Sequence, residues 1–336
     1  MTSSPTDDRD AGLAAQYEAY PYPERNPQDE TRRLFIGSPS HLREVDYWVF
    51  GARRARSKPM RVLVAGCGTG DGAIMLATQL ARAARPAEVV CLDRSSKALS
   101  IAQARAQTRE LNNISFVQGS INALDGLELG AFDYIDCCGV LHHLPDPTAA
   151  LQTLERHLAP NGGMGLMVYA PYGRTGVYML QDALEKLAPL TQPPQERLDV
   201  ARRVMRTLPA TAWLRQNGNF GDHLSGGDAG LYDLLLNPRD RSYTITDFLA
   251  LLDQAGLEPA ALMEPARYDP ALFLPDPRLR ARLAPLPWQE RAAIAADLAG
   301  NMATHVAYVV RTHASVTKPD TLDPQAVPIM RDLQRG

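Results

Sequence analysis

The run Arg61-Val-Leu-Val-Ala-Gly66-Cys-Gly68-Thr-Gly70-Asp-Gly72 leaves this chain few folds to choose from. Its apolar first half reads as a buried strand, and Ala73-Ile-Met-Leu-Ala opens a helix. Between them, Gly66, Gly68 and Gly70 keep Cβ atoms away from a backbone that a ligand can then approach. A strand, a glycine turn and a helix N-terminus form a site for the polar end of a cofactor. Asp93 closes the next strand, Val89-Val-Cys-Leu-Asp93, at the spacing of an acid that holds ribose hydroxyls. Gly68-x-Gly70-x-x-Ala73 also satisfies the permissive dinucleotide fingerprint, so the turn alone leaves the cofactor class open.

From Met60 the chain alternates between strand and helix patterns, the mark of a doubly wound α/β sheet. Strands are expected at 60–66, 88–93, 114–118, 132–138 and 164–169. Ser95 or Ser96 suits the N-cap of the helix that runs to about Leu111. Asp146-Pro147 suits an N-cap and first helical position. Pro160-Asn-Gly-Gly163 reads as a turn. Beyond Ala170 the pattern breaks into helical pieces, Tyr178–Leu190 and Gln195–Leu208, ending in the Gly-rich stretch 217–227. That is too long for an ordinary connection and reads as an inserted cap. Thr244–Ala255 and Trp288–Leu298 read as helices, and 260–264 and 305–311 as the last two strands.

Ahead of the sheet lies an aromatic segment broken by Pro21, Pro23, Pro27 and Pro39. It either lies across a pocket or packs on the outside of the sheet. Residues 1 to about 10, and the tail after about Ser315, are expected to be loose. The organisation is therefore a 1–45 arm or lid, a 46–170 cofactor-binding core, a 171–243 mainly helical cap on the substrate side, a 244–314 completion of the sheet and a 315–336 tail.

Hydrophobic residues make up 45% of 336, enough for a sizeable core, and the formal charge of −3 argues against a nucleic-acid or acidic-membrane partner. The basic run Arg53, Arg54, Arg56, Lys58 and Arg61 is a solvated face or an anion-binding patch. No apolar run reaches the roughly 20 residues that span a bilayer. The polar start, Met-Thr-Ser-Ser-Pro-Thr-Asp-Asp, is unlike a signal peptide. Cys67, Cys91, Cys137 and Cys138 fall in or beside core strands, which suits buried thiols in a reducing compartment, and the cytoplasm is expected. No His/Cys spacing suggests a metal site.

Downstream of the fourth strand come Gly139-Val-Leu-His142-His143-Leu-Pro145-Asp146-Pro147 and then Leu158-Ala-Pro-Asn-Gly-Gly163. With the Gly66–Gly72 turn and Asp93, this set resembles class I S-adenosylmethionine-dependent methyltransferases over about residues 45–170. The arm Gln16-Tyr17-Glu18-Ala-Tyr20-Pro21-Tyr22-Pro23 and the segment Asp233–Tyr243 are similar to a bacterial group of such proteins with a QYExxPYP-like arm. The resemblance implies a Rossmann-like seven-stranded sheet, S-adenosyl-L-methionine as cofactor and S-adenosyl-L-homocysteine as product.

It also implies roles at matching positions. Gly66, Cys67, Gly68 and Gly70 would approach the methionine moiety, and Asp93 the ribose. Arg94, Ser120 and Ile121 would flank the adenine, Ser120 standing where relatives often carry an aspartate. Cys138 would lie near the transferred methyl, and Tyr17 over the cofactor. His142 or His143 is the candidate base, with a structural role as the alternative. Tyr20, Tyr22, Tyr172, His223, Arg241 and Tyr243 are candidate substrate contacts. Cys137 and Cys138 read as buried small hydrophobes without an activating neighbour.

Methyl transfer to an O, N or S atom of a small or medium-sized acceptor follows as the expected activity. A protein side chain is the alternative acceptor. A non-catalytic cofactor-binding regulator and an NAD-dependent oxidoreductase are the other classes, disfavoured by the complete turn and by the lack of a second catalytic segment.

Overall fold

The computed structural model describes residues 5–218, 221–312 and 314. Seven strands form one sheet: β1 (Met60–Ala65), β2 (Ala87–Asp93), β3 (Ile114–Gln118), β4 (Phe132–Cys138), β5 (Leu158–Tyr169), β6 (Leu257–Leu262) and β7 (Thr304–Arg311). Their order is β3-β2-β1-β4-β5-β7-β6. β1 to β5 run parallel, and β7 is antiparallel to both β5 and β6. This is the expected doubly wound, Rossmann-like sheet.

Both faces are covered, which is why the central strands read as nearly unbroken apolar runs. Leu63, Phe132, Ile135 and Leu166 face one layer of helices. Val62, Val64, Tyr134 and Tyr308 face the other, together with Val45 and Val49 from the N-terminal segment. Capping starts the helices where the sequence places them. Ser95 accepts the Ala98 N–H at 3.1 Å, Asp146 accepts the Ala149 N–H at 2.9 Å, and Thr244 and Asp247 form a capping box.

The N-terminal segment packs on the sheet through two glycines of β5. A Cβ on Gly165 would lie 2.5 Å from Pro39 Cβ, and one on Gly163 2.7 Å from Val49 Cγ1. The expected Pro160–Gly163 turn is instead the start of β5, which shifts register against β4 between Phe132 and Tyr134. Of the supposedly loose first residues, 5–10 belong to a helix, Pro5–Ala19; residues 1–4 lie outside the described residues. The 315–336 tail, and residues 219–220 of the Gly-rich stretch, also lie outside them.

Residues 171–243 form helices Val177–Leu187, Pro194–Thr207 and Gly227–Leu236 with shorter pieces between. They share an apolar cluster of their own, including Val177, Leu184, Leu198, Leu214 and Leu235. Buried Arg197 ties the pieces together by donating to the carbonyls of Ala188 and Leu236 and to the Tyr232 hydroxyl. Within the basic run, Arg54 pairs with Asp133 and Arg61 with Glu88, so both serve internal partners. No helix among the described residues is long and apolar enough to cross a membrane.

Candidate functional site

A cavity of about 890 Å³ opens over the C-terminal ends of β1, β2, β4 and β5. That is the place where open α/β sheets bind ligands, and the volume is near the top of the roughly 300–1,000 Å³ range of small-molecule sites. Its wall includes the Pro5–Ala19 helix with residues 22–23, the strip 35–39, the strand ends and the turns after them, the start of the Asp71–Arg82 helix, and Arg174 and Asp233 from the helical 171–243 region.

At one end lie Gly66, Cys67 and Gly68. Gly66 (φ 75°) and Gly68 (φ 51°) occupy the left-handed region that side chains resist. A Cβ at Gly68 would also lie 2.7 Å from the Tyr22 carbonyl oxygen, so the N-terminal segment rests directly on the turn. The Thr69 hydroxyl donates to the Pro23 carbonyl at 2.7 Å. Gly70 is not in the cavity wall; it packs against Ala102, and its φ of 101° lets the Asp71–Arg82 helix begin.

Asp93 lines the cavity and holds the turn, accepting the Gly68 N–H at 2.7 Å and the Ser95 N–H at 2.9 Å. A carboxylate has about four lone-pair sites, so these backbone bonds do not exhaust its capacity to accept from a ligand's hydroxyls. Burial raises the Asp93 pKa above the usual carboxylate value. Arg94, Ser120 and Ile121 lie along the same wall. Arg94 is engaged by Asp10 at 2.9 Å, and Ser120 caps the turn at 121–127.

The other end is built by Tyr17, His143, Tyr169, Arg174 and Asp233. The Tyr17 hydroxyl donates to Asp233 Oδ1 at 3.1 Å, while its backbone oxygen accepts from the Ser95 hydroxyl. Tyr17 thus bridges the two ends. The Tyr169 ring stacks on His142 at 3.8 Å, and the Arg174 guanidinium lies 3.6 Å from its centre. Arg174 is neutralised by buried Asp240 at 2.7 Å.

The paired histidines differ. His143 faces the cavity, with Nδ1 2.7 Å from the Arg239 carbonyl oxygen. That oxygen can only accept, so Nδ1 carries the hydrogen, and in the neutral ring Nε2 is the nitrogen with the lone pair. His142 is sealed beneath Tyr169, and burial pushes its pKa well below the ordinary value. Cys138 reaches the cavity, but burial pushes its thiol pKa up, away from the thiolate.

Tyr22 lines the cavity; the other candidate substrate contacts lie outside its wall. Tyr20 stacks on Tyr232 and donates to Gln195. Tyr172 is at the surface and donates to Asp297 at 2.7 Å. Tyr243 is buried in the core, Arg241 is exposed, and His223 sits in the short Asp222–Ser225 helix. Their polar character gave no hint of which way the 171–243 region turns them.

Polar groups of the wall that had no role in the sequence reading include Asp71, Asp136, Arg174 and Asp233. Asp136 could have been noticed as an acid inside the apolar strand Phe132–Cys138. Asp71 belongs to a buried network, pairing with Arg25 at 2.6 Å and Arg105 at 2.7 Å. Arg105 also pairs with buried Glu30 at 2.6 Å, which fastens the N-terminal segment to the Ser96–Thr108 helix. No cluster of potential metal ligands occurs among the described residues.

The methyltransferase domain family matches residues 56–187. An uncharacterized protein of Synechococcus sp. is 30% identical over 288 residues, 82% of this chain and 66% of that protein. A ubiquinone biosynthesis O-methyltransferase of Albidiferax ferrireducens is 34% identical over 102 residues, 30% of this chain and 38% of that enzyme. Among solved structures, PKMT2 from Rickettsia typhi in complex with AdoHcy superposes with a TM-score of 0.59 at 17% identity, covering 80% of this chain and 52% of that one. The chain therefore spans between about a third and two thirds of the length of these proteins.

Proposed function

We propose that this chain, whose residues 56–187 match the methyltransferase domain family, is a class I S-adenosylmethionine-dependent methyltransferase that methylates a hydroxyl of a small or medium-sized acceptor enclosed in the cavity. One observation carries the reading: the Gly66–Gly68 turn, the Asp93 carboxylate and the His143 ring open onto a single cavity.

The residues fit the cofactor. Gly66 and Gly68 expose bare backbone, the adjacent helix N-terminus supplies N–H groups for a carboxylate, and Asp93 keeps acceptor sites for ribose hydroxyls. Ser120 and Ile121 would border the adenine. When bound, S-adenosylmethionine supplies a methyl group already activated on a sulfonium. The protein then has to align the nucleophile, exclude water and take up a proton.

His143 suits the proton's destination, because its Nδ1–H is anchored and Nε2 is free to accept. A histidine at this position favours a hydroxyl acceptor, the kind whose proton must be removed during transfer. The relative named as an O-methyltransferase agrees, although the likeness covers only the domain. Tyr17, Tyr22 and the strip 35–39 cover the cavity, which suits a small acceptor better than a protein chain. The free cysteines suit a reducing compartment, and the cytoplasm is the proposed location.

The test is an acceptor screen with methyl-labelled S-adenosylmethionine, using small hydroxyl compounds in one arm and bacterial protein extract in the other. Label in small hydroxyl compounds alone supports the proposal. Label in protein alone would replace it with the protein-acceptor reading.

A further inference from the structure

Asp136 is the most deeply buried acid of the cavity wall, with 2% of its surface exposed. It projects from β4 beside Val64 of β1, its partner in register. Oδ2 accepts the Ser40 hydroxyl and lies 2.8 Å from where a Cβ of Gly72 would stand. Ser40 is itself fixed, its N–H donating to the Tyr308 hydroxyl at 3.1 Å and its Oγ lying 3.2 Å from the Tyr134 hydroxyl. It holds this position at φ 85°, a conformation that a non-glycine residue adopts only when its surroundings impose it.

A buried carboxylate is costly unless a cation accompanies it. The neighbouring acid Asp71 has Arg25 and Arg105. No ion pair to Asp136 occurs among the described residues, and its partners there are hydroxyl and amide donors. Burial pushes its pKa up to about 6, as expected for an acid still short of a positive partner.

The surroundings describe that partner. Gly72 lies in the first turn of the 12-residue Asp71–Arg82 helix, whose leading N–H groups attract an anion. Asp136, in contact with the same turn, attracts a cation. An anion seat and a cation seat side by side match a zwitterionic α-amino acid head. We propose that Asp136, oriented by Ser40, seats the α-ammonium group at the amino-acid end of the cofactor. The inference rests on the cofactor reading above and adds the residue that recognises that end.

The test is titration calorimetry with two ligands at pH 7.5. S-adenosylhomocysteine carries the amino-acid head, and 5′-methylthioadenosine lacks it. Asp136→Asn keeps the shape and should weaken S-adenosylhomocysteine at least tenfold while leaving 5′-methylthioadenosine within about twofold. An unchanged S-adenosylhomocysteine affinity, or equal losses for both ligands, would overturn the proposal. If the variant does not fold, the wild-type protein is titrated with the deamino analogue of S-adenosylhomocysteine. At least tenfold weaker binding supports the proposal, and undiminished binding overturns it. Failure of the folded wild type to bind either nucleoside would instead remove the cofactor reading, and this inference with it.

Discussion

The Nδ1 hydrogen of His143 is committed to the Arg239 carbonyl oxygen at 2.7 Å, and this single bond decides which ring nitrogen can work as a base. Arg239 follows the Gly227–Leu236 helix, so the 171–243 region sets the tautomer of a residue in the Leu141–His143 turn that follows β4. His143→Gln should lower kcat by about 10²–10⁴-fold, the usual range for a lost general base. S-adenosylhomocysteine affinity, measured by calorimetry, should stay within about threefold of wild type. His142→Gln should instead lower the melting temperature, because it disturbs a ring stacked under Tyr169.

Asp136 should make the ligand-free protein less stable as pH rises. Its folded pKa of about 6 lies above the ordinary 3.8. Between those values the folded state holds the proton and the unfolded state releases it. Stability therefore falls from about pH 4 to about pH 6, by about 3 kcal/mol in all. The facing hydroxyls of Tyr134 and Tyr308 and the thiol of Cys138 are pushed up by burial and stay protonated across this window. Ligand-free Asp136→Asn should lose this fall and melt higher than wild type at pH 7.5, while binding S-adenosylhomocysteine less well. Thermal unfolding at pH 5 and pH 7.5 measures it.

Arg105 is the keystone of the contact between the N-terminal segment and the sheet domain. Its side chain and that of Glu30 are both about 1% exposed. Arg105→Ala leaves Glu30 buried with one remaining partner, Arg109, and should cost about 3–5 kcal/mol in chemical denaturation. The partly exposed Asp71 contributes in the opposite pH sense from Asp136. Burial alone would raise its pKa, but Arg25 and Arg105 outweigh that and lower it below 3.8. Its contribution is present above that value and lost as pH falls through the lowered one.

Tyr17 joins the Asp93 end of the cavity to the helical region, and removing its hydroxyl releases it from Asp233 while its backbone bond to Ser95 remains. Tyr17→Phe should weaken S-adenosylhomocysteine about fivefold, the equivalent of one hydrogen bond of about 1 kcal/mol, and speed proteolytic cleavage near residue 20. Removal of residues 1–45 tests something else, because Leu42 and Val45 are part of the core. That truncation should fail to fold, whereas removal of residues 1–24 should leave a folded protein with weakened ligand binding.

The strands, the glycine turn and Asp93 were legible because their signals are local. A buried strand, a positive-φ turn and a helix cap each lie within a few consecutive residues. The remainder of the site depends on pairings between distant positions. Ser40 meets Asp136 across 96 positions, Glu30 meets Arg105 across 75, and Tyr17 meets Asp233 across 216. No periodicity encodes such pairs. The glycines of β5 carried a hint, since Gly163 and Gly165 make room for Val49 and Pro39, but only the fold shows what fills the space. Tyr172, His223, Arg241 and Tyr243 were singled out for polar reach, and the segments that carry them place them outside the cavity wall.

The most direct measurement is titration of the intact protein with S-adenosylhomocysteine, with Asp93→Ala as the comparison and circular dichroism to establish that both are folded. Binding at about micromolar affinity in the wild type, lost at least tenfold in the variant, is the predicted result. Absence of binding to the folded wild type, or equal binding by both proteins, would contradict a cofactor site built from the Gly66–Gly68 turn and Asp93.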